Sequence, residues 1–149
     1  MTNDADSMIL GKANFGIPEA LTGFDFNPKL EWGRCTNFYP TIKKNEDGSV
    51  AVHLPEIRWR HEIKPPRNAK SASLNLHALA VNLNGKTPDI RRIDDLTIDF
   101  TSGHHIASQI WKIESAEPAH WILIVGLLRF TGNFSNDAEC ISGIYLWAG

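Results

Sequence analysis

The residues in this chain whose types could do chemistry are its histidines, carboxylates and cysteines, and at each place their spacing argues against a site. Six histidines occur: His53, His61, His77, His104, His105 and His120. A zinc site needs three or four ligands converging at about 2.0–2.3 Å, usually with one close pair in sequence. The local pairs are His104-His105 and His61-Glu62. Neighbours on a strand point to opposite faces, so either pair could ligate only from a loop. They read as solvent-facing loop histidines, and no metal is expected. Asp94, Asp95 and Asp99, or Glu114 and Glu117, could supply acid and base. Asp95 and Asp99, however, share a face with Thr97 in the pattern of a strand's wet side. A calcium loop needs denser acidic spacing. No Gly-x-Ser-x-Gly elbow occurs, and Ser142-Gly143 lies in a strand context. Glu139 beside Cys140 works against a thiolate. Neither Walker nor dinucleotide glycine spacing is found. No catalytic residue or cofactor is assigned, and an enzyme is not expected.

Two cysteines, Cys35 and Cys140, are too few for a disulfide scaffold. A bridge between them would close nearly the whole domain in an oxidising compartment. Two buried free thiols are the simpler expectation.

Five tryptophans are the compositional feature with functional potential, because exposed aromatics stack on sugar rings or anchor protein interfaces. Trp59, Trp111 and Trp121 fall in strand patterns and read as core. Trp32 and Trp147, near the chain's ends, are the candidates for exposed aromatic contacts. Arg58, Arg60, His61, Lys64 and Arg67 form a basic stretch around Trp59, too sparse for nucleic acid. A net charge of -2 steers the protein toward neither nucleic acid nor an anionic membrane.

These residues must be positioned by strands. With 149 residues, 42% of them hydrophobic, the chain can build one real core. Its longest apolar run, Trp121 to Phe130, is far too short for a membrane helix of about 20 residues. Its β-branched and aromatic content predicts a strand buried on both faces. Ser71 to Leu83 alternates Leu74, Leu76, Ala78 and Ala80 against Asn75, His77, Leu79 and Val81. The second face starts polar and turns apolar, as in a strand that passes from solvent to cover. Val50–Leu54, ended by Pro55, Ile57–Trp59, Arg91–Phe100, Gln109–Glu114 and Cys140–Trp147 also alternate. Lys29–Trp32 is a candidate short first strand. Asn45-Glu46-Asp47-Gly48 and Asn84-Gly85 are hairpin turns. Ser102-Gly103-His104-His105 turns the chain. No stretch of ten residues or more holds a helical period. About seven strands separated by turns predict an all-β fold, an antiparallel β-sandwich over residues 27–149.

Residues 1–26 hold no period, with Gly11, Gly16, Pro18 and Gly23 interrupting it. Ile9, Leu10, Phe15, Ile17 and Leu21 are too apolar for a solvated tail. An extended N-terminal arm follows, packed on its own domain or on a neighbouring subunit. The N-terminus has no positive region or apolar core of a signal peptide, so a cytoplasmic or particle-associated protein is expected unless the chain is a trimmed mature form.

Pro28-Lys29-Leu30 with Gly33, Tyr39-Pro40, Asp47-Gly48-Ser49-Val50 leading to Ile57-Arg58-Trp59, Asn68-Ala69-Lys70-Ser71 and Ser142-Gly143-Ile144-Tyr145-Leu146 together form a pattern over about residues 28–147. It resembles the C-terminal immunoglobulin-like domain of a large family of Bacteroidota proteins without established activity. That family's longer Gly- and Arg-rich N-terminal segment is absent here or reduced to Met8–Gly23. The resemblance implies the sandwich fold and a non-enzymatic role, and carries over no functional residue. The expected function is a structural or interaction module of a larger bacterial or phage-type assembly, self-associating or bound to a protein partner. The rival is a carbohydrate-binding module using exposed tryptophans.

Overall fold

A computed structural model describes residues 22–82, 89–114, 121–136 and 139–149. The arm residues Ile9, Leu10, Phe15, Ile17 and Leu21, the Asn84-Gly85 turn, Glu117-Pro118 and His120 lie outside the described residues. The fold is all-β. A single helical turn, α1 (Trp32–Cys35), precedes β1 (Thr41–Lys44), β2 (Val50–Leu54), β3 (Ile57–Arg58), β4 (Ala69–Asn82), β5 (Asp89–Thr101), β6 (His105–Ile106), β7 (Gln109–Ile113), β8 (Trp121–Gly132) and β9 (Ile141–Ala148). They pair into a four-stranded sheet, β5-β4-β8-β9, a three-stranded sheet, β1-β2-β7, and a two-stranded ladder, β3-β6. Every one of these pairings is antiparallel.

Period two explains where the core lies. On β8, Ile122, Ile124, Leu128 and Phe130 point inward and join Ala72, Leu74, Leu76 and Ala78 of β4. The same cluster takes in Val50, Val52 and Leu54 of β2 and Trp111 and Ile113 of β7, so one hydrophobic core joins the two larger sheets. The alternate residues of β8, Trp121, Leu123 and Val125, belong to a second cluster with Val81 and Tyr145 on the outer face. The apolar run is therefore buried on both faces through Gly126, and only beyond it does alternation begin, with Leu127 half-buried and Arg129 exposed. The outer face of β4 shows the expected gradient. Its half-buried positions run Ser71, Ser73, Asn75 and His77 before Leu79 and buried Val81.

A bulge between Ala78 and Leu79 sets Arg92, rather than Ile93, opposite Leu79. The extra residue reverses the phase of β5, which puts Ile90 opposite Val81 and against the outer cluster.

Two expectations are corrected. Lys29–Trp32 is not a strand. The Asp25 carboxylate accepts the Trp32 backbone N–H at 2.8 Å, and Thr36 N donates to Trp32 O at 2.9 Å, closing a turn of helix instead. That turn points Trp32 and Cys35 inward together, three residues apart. Trp32 is accordingly not an exposed aromatic contact: it is 0% exposed. Its ring occupies space left by Gly126 on the inner face of β8, where a Cβ would lie 3.0 Å from Trp32 Cη2. The edge strand β1 had too little apolar content to be read from sequence. Of Thr-Ile-Lys-Lys only Ile42 is shielded, and lysines on an edge discourage further pairing.

Candidate functional site

The groups considered for chemistry are scattered. His53, His61, His104 and His105 are exposed and His77 is half-buried on the outer face of β4. His105 Nε2 lies 4.0 Å from Glu56 Oε1, both well exposed. Among the described residues no three of His, Cys, Asp and Glu stand where they could hold a metal ion. Asp95, Thr97 and Asp99 oppose His77, Asn75 and Ser73 across the sheet. Thr97 Oγ1 donates to Asn75 Oδ1 at 2.7 Å. Asp47 works in the β1–β2 turn, accepting from Ser49 N at 2.9 Å and Ser49 Oγ at 2.6 Å, and these bonds hold its carboxyl below the ordinary range. Beside it Gly48 takes φ 88, as the Asp-Gly signal predicts.

Cys35 and Cys140 are both buried free thiols. Burial pushes the Cys35 thiol up to about 11, with the Asp25 charge raising it further, while the Ser142 hydroxyl and Lys64 oppose. Among the described residues Ser142 Oγ has no hydrogen-bond partner of ordinary geometry, and its effect is felt on the Cys35 sulfur. A thiol held protonated in this way is a poor nucleophile.

The tryptophans give no sugar platform. Trp59, Trp111 and Trp121 are buried like Trp32, and Trp147 is half-buried against the core. Among the described residues the exposed large hydrophobics are Phe24, Tyr39 and Ile110. Tyr39 and Ile110 line an open depression of about 640 Å³ on the outer face of the three-stranded sheet, with Thr41, His53, Leu54, Pro55, Ser108 and Gln109. Thr41, His53 and Ile110 form one cross-strand row there. Tyr39 was missed as a contact because it lies outside any periodic run. Ile110 was legible, since it alternates with buried Trp111.

The other candidate surface lies at the β9 edge. Gly23 N donates to Tyr145 O at 2.8 Å, Tyr145 N to Phe24 O at 3.1 Å and Phe26 N to Gly143 O at 2.8 Å. Asp25 and Ile144 form an antiparallel bridge. The start of the described chain thus adds a short strand to β9. Phe26 meets Tyr145 edge to face at 4.7 Å, with Phe24 a further 6.2 Å neighbour of both rings. Gly143 makes the approach feasible, because a Cβ there would lie 2.7 Å from the Phe26 ring.

Comparison with family models, curated proteins and solved structures finds no match. Among the described residues no helix is long and apolar enough to cross a membrane.

Proposed function

We propose that the protein is a non-catalytic structural or interaction module, a subunit of a larger bacterial or phage-type assembly, built on an immunoglobulin-like β-sandwich. The strand order supports the architecture in an unexpected way. Taken from the C-terminus backward, β9, β8, β7, β5, β4, β2 and β1 fall in the places of strands A to G. The four-stranded sheet then corresponds to A-B-E-D and the three-stranded sheet to C-F-G. With the β3-β6 ladder set aside, this strand adjacency parallels that of an immunoglobulin constant domain read in reverse, which supports the sandwich reading.

The observation that carries the function is the strand added to β9 by Gly23–Phe26. Strand addition at a sheet edge is a general mode of protein recognition, in which main-chain bonds give affinity and side-chain pockets give specificity. The sequence ahead of this strand supplies the apolar residues Ile9, Leu10, Phe15, Ile17 and Leu21. A second copy offers the same edge and face, so exchange of the arm makes a homo-oligomer without any new type of contact. Light scattering across a concentration range tests this on the full chain and on a form lacking Met1–Thr22. The full chain is expected to associate and the shortened one to remain folded but dissociate. A full chain that is monomeric at high concentration, or a shortened form that assembles equally well, refutes the reading.

The carbohydrate-binding reading now rests on Tyr39 rather than on tryptophan. Tyr39, 63% exposed, offers a ring for stacking, and Thr41, His53, Ser108 and Gln109 offer hydrogen bonds around it. Tyr39-dependent binding on a glycan array would support this alternative.

A further inference from the structure

The basic stretch around Trp59 is sparse in sequence, but the fold gathers part of it. Arg60, Lys64 and Arg67 line an open depression of about 410 Å³ completed by Pro65, Pro66 and Ala69, with no carboxylate among these lining residues. The nearby acid, Glu62, is already taken: Arg58 Nε and Nη2 donate to its two carboxylate oxygens at 2.9 and 3.1 Å. Lys64 Nζ donates to Gly33 O at 3.0 Å, which anchors the ammonium and leaves it two further N–H groups. Arg60 and Arg67 have no ion pair or side-chain hydrogen bond among the described residues.

The frame that presents these cations is stiff. Lys64 N donates to Cys35 O at 2.7 Å, and Ala69 N to Pro66 O at 3.0 Å closes the turn beyond the two prolines. Arg60 itself has φ 70, whereas the other described residues with positive φ, Gly23, Gly48 and Gly103, are glycines. A side chain in that region is strained relative to glycine, so the loop bears a backbone cost to place a guanidinium there.

We propose that this depression binds a compact dianion, a phosphate or sulfate group. The planar forks of Arg60 and Arg67 match the paired oxygens of such a group, and the Lys64 ammonium supplies a third, point-like charge. With a net charge of -2, the chain as a whole does not attract polyanions. Three cations gathered at one depression suit a single dianionic group rather than an extended strand. The site is independent of arm exchange.

The test is a titration of the full chain with inorganic phosphate and, separately, sulfate. Ionic strength is held constant with sodium chloride and backbone amide shifts are followed. Saturable shifts at Gly33 and across residues 60–69 are expected, with half-saturation of order 1 mM. Arg60→Gly removes the cation and relieves the backbone at once. It is expected to weaken binding at least about tenfold with Tm unchanged or raised. Arg67→Gln should weaken binding similarly without touching φ at residue 60. Shifts that never saturate and follow ionic strength in chloride alone overturn the proposal. So does an Arg60→Gly and Arg67→Gln pair that binds as the parent does, or an oligonucleotide that binds far more tightly than either inorganic ion.

Discussion

The outer faces of the two large sheets stand in contrast. On the three-stranded sheet, Thr41, His53 and Ile110 lie in one exposed row, and a 62% exposed isoleucine is tolerated in water. On the four-stranded sheet the polar end, with Ser73, Asp99 and Arg129 in register, gives way to Val81, Trp121 and Leu123, which are 0–5% exposed. Short strands of four and five residues need only one apolar face. The strands of twelve to fourteen residues carry apolar side chains on both faces at one end, and the outer ones gather into a second cluster.

The largest expected effect breaks that contrast at its root. Leu128, on the shared core, and Leu123, on the outer cluster, are each replaced by Asp. A buried unpaired carboxylate costs several kcal/mol, comparable with a domain's whole stability of about 5–15 kcal/mol. Both variants are expected to lose the cooperative melt in circular dichroism. Leu127→Asp, half-buried over Gly143, should fold with a lowered Tm. If Leu123→Asp melts like the parent, the second cluster is not a core.

Gly126→Ala comes next. Its added Cβ would meet Leu146 Cδ1 at 2.8 Å and the Trp32 ring at 3.0 Å. Overpacking of this kind costs about 1–3 kcal/mol, partly offset by the lower backbone entropy of Ala. Urea midpoints should fall, and Trp32→Phe should restore part of the loss by vacating the space.

A smaller effect is confined to alkaline pH. The Cys35 thiol is raised from an ordinary 9.0 to about 11. The folded state thus favours the protonated form, and the stability this gives is complete below about pH 8.5 and is lost as pH rises toward 11. The difference in urea midpoint between the parent and Cys35→Ala should shrink over that interval. A difference constant from pH 8 to 10.5 contradicts the raised value.

The second cluster was partly legible in sequence. The polar-to-apolar gradient on β4 and the unbroken run Trp121–Gly126 both announced a strand leaving one environment for another, because period two displays each face separately. Trp32 was not legible. Its placement depends on a carboxylate seven residues earlier capping one helical turn and on a glycine some ninety residues later leaving room for the ring. Neither relation has a local periodicity. Tyr39 and Arg60 were obscured likewise, since loop positions acquire meaning only from what the fold brings beside them.

The smallest effect sharpens the comparison from its wet side. Tyr39 and Ile110 are 63% and 62% exposed, so their removal takes little apolar area out of contact, and surface changes of this kind usually stay within about 0.5 kcal/mol. Ile110→Asp is informative because the same replacement at Leu123 is expected to unfold the protein. Both sites are apolar strand positions on an outer face, so strand propensity alone cannot separate them. His53, directly opposite on β2, and Lys112, two residues along the same face of β7, also place the new carboxylate among groups that do not repel it. Tyr39→Ser combined with Ile110→Asp is therefore expected to melt within a few degrees of the parent. A combined loss comparable with that of Leu123→Asp would mean that this face, too, is covered in the folded protein, and the distinction between the two sheets would fall.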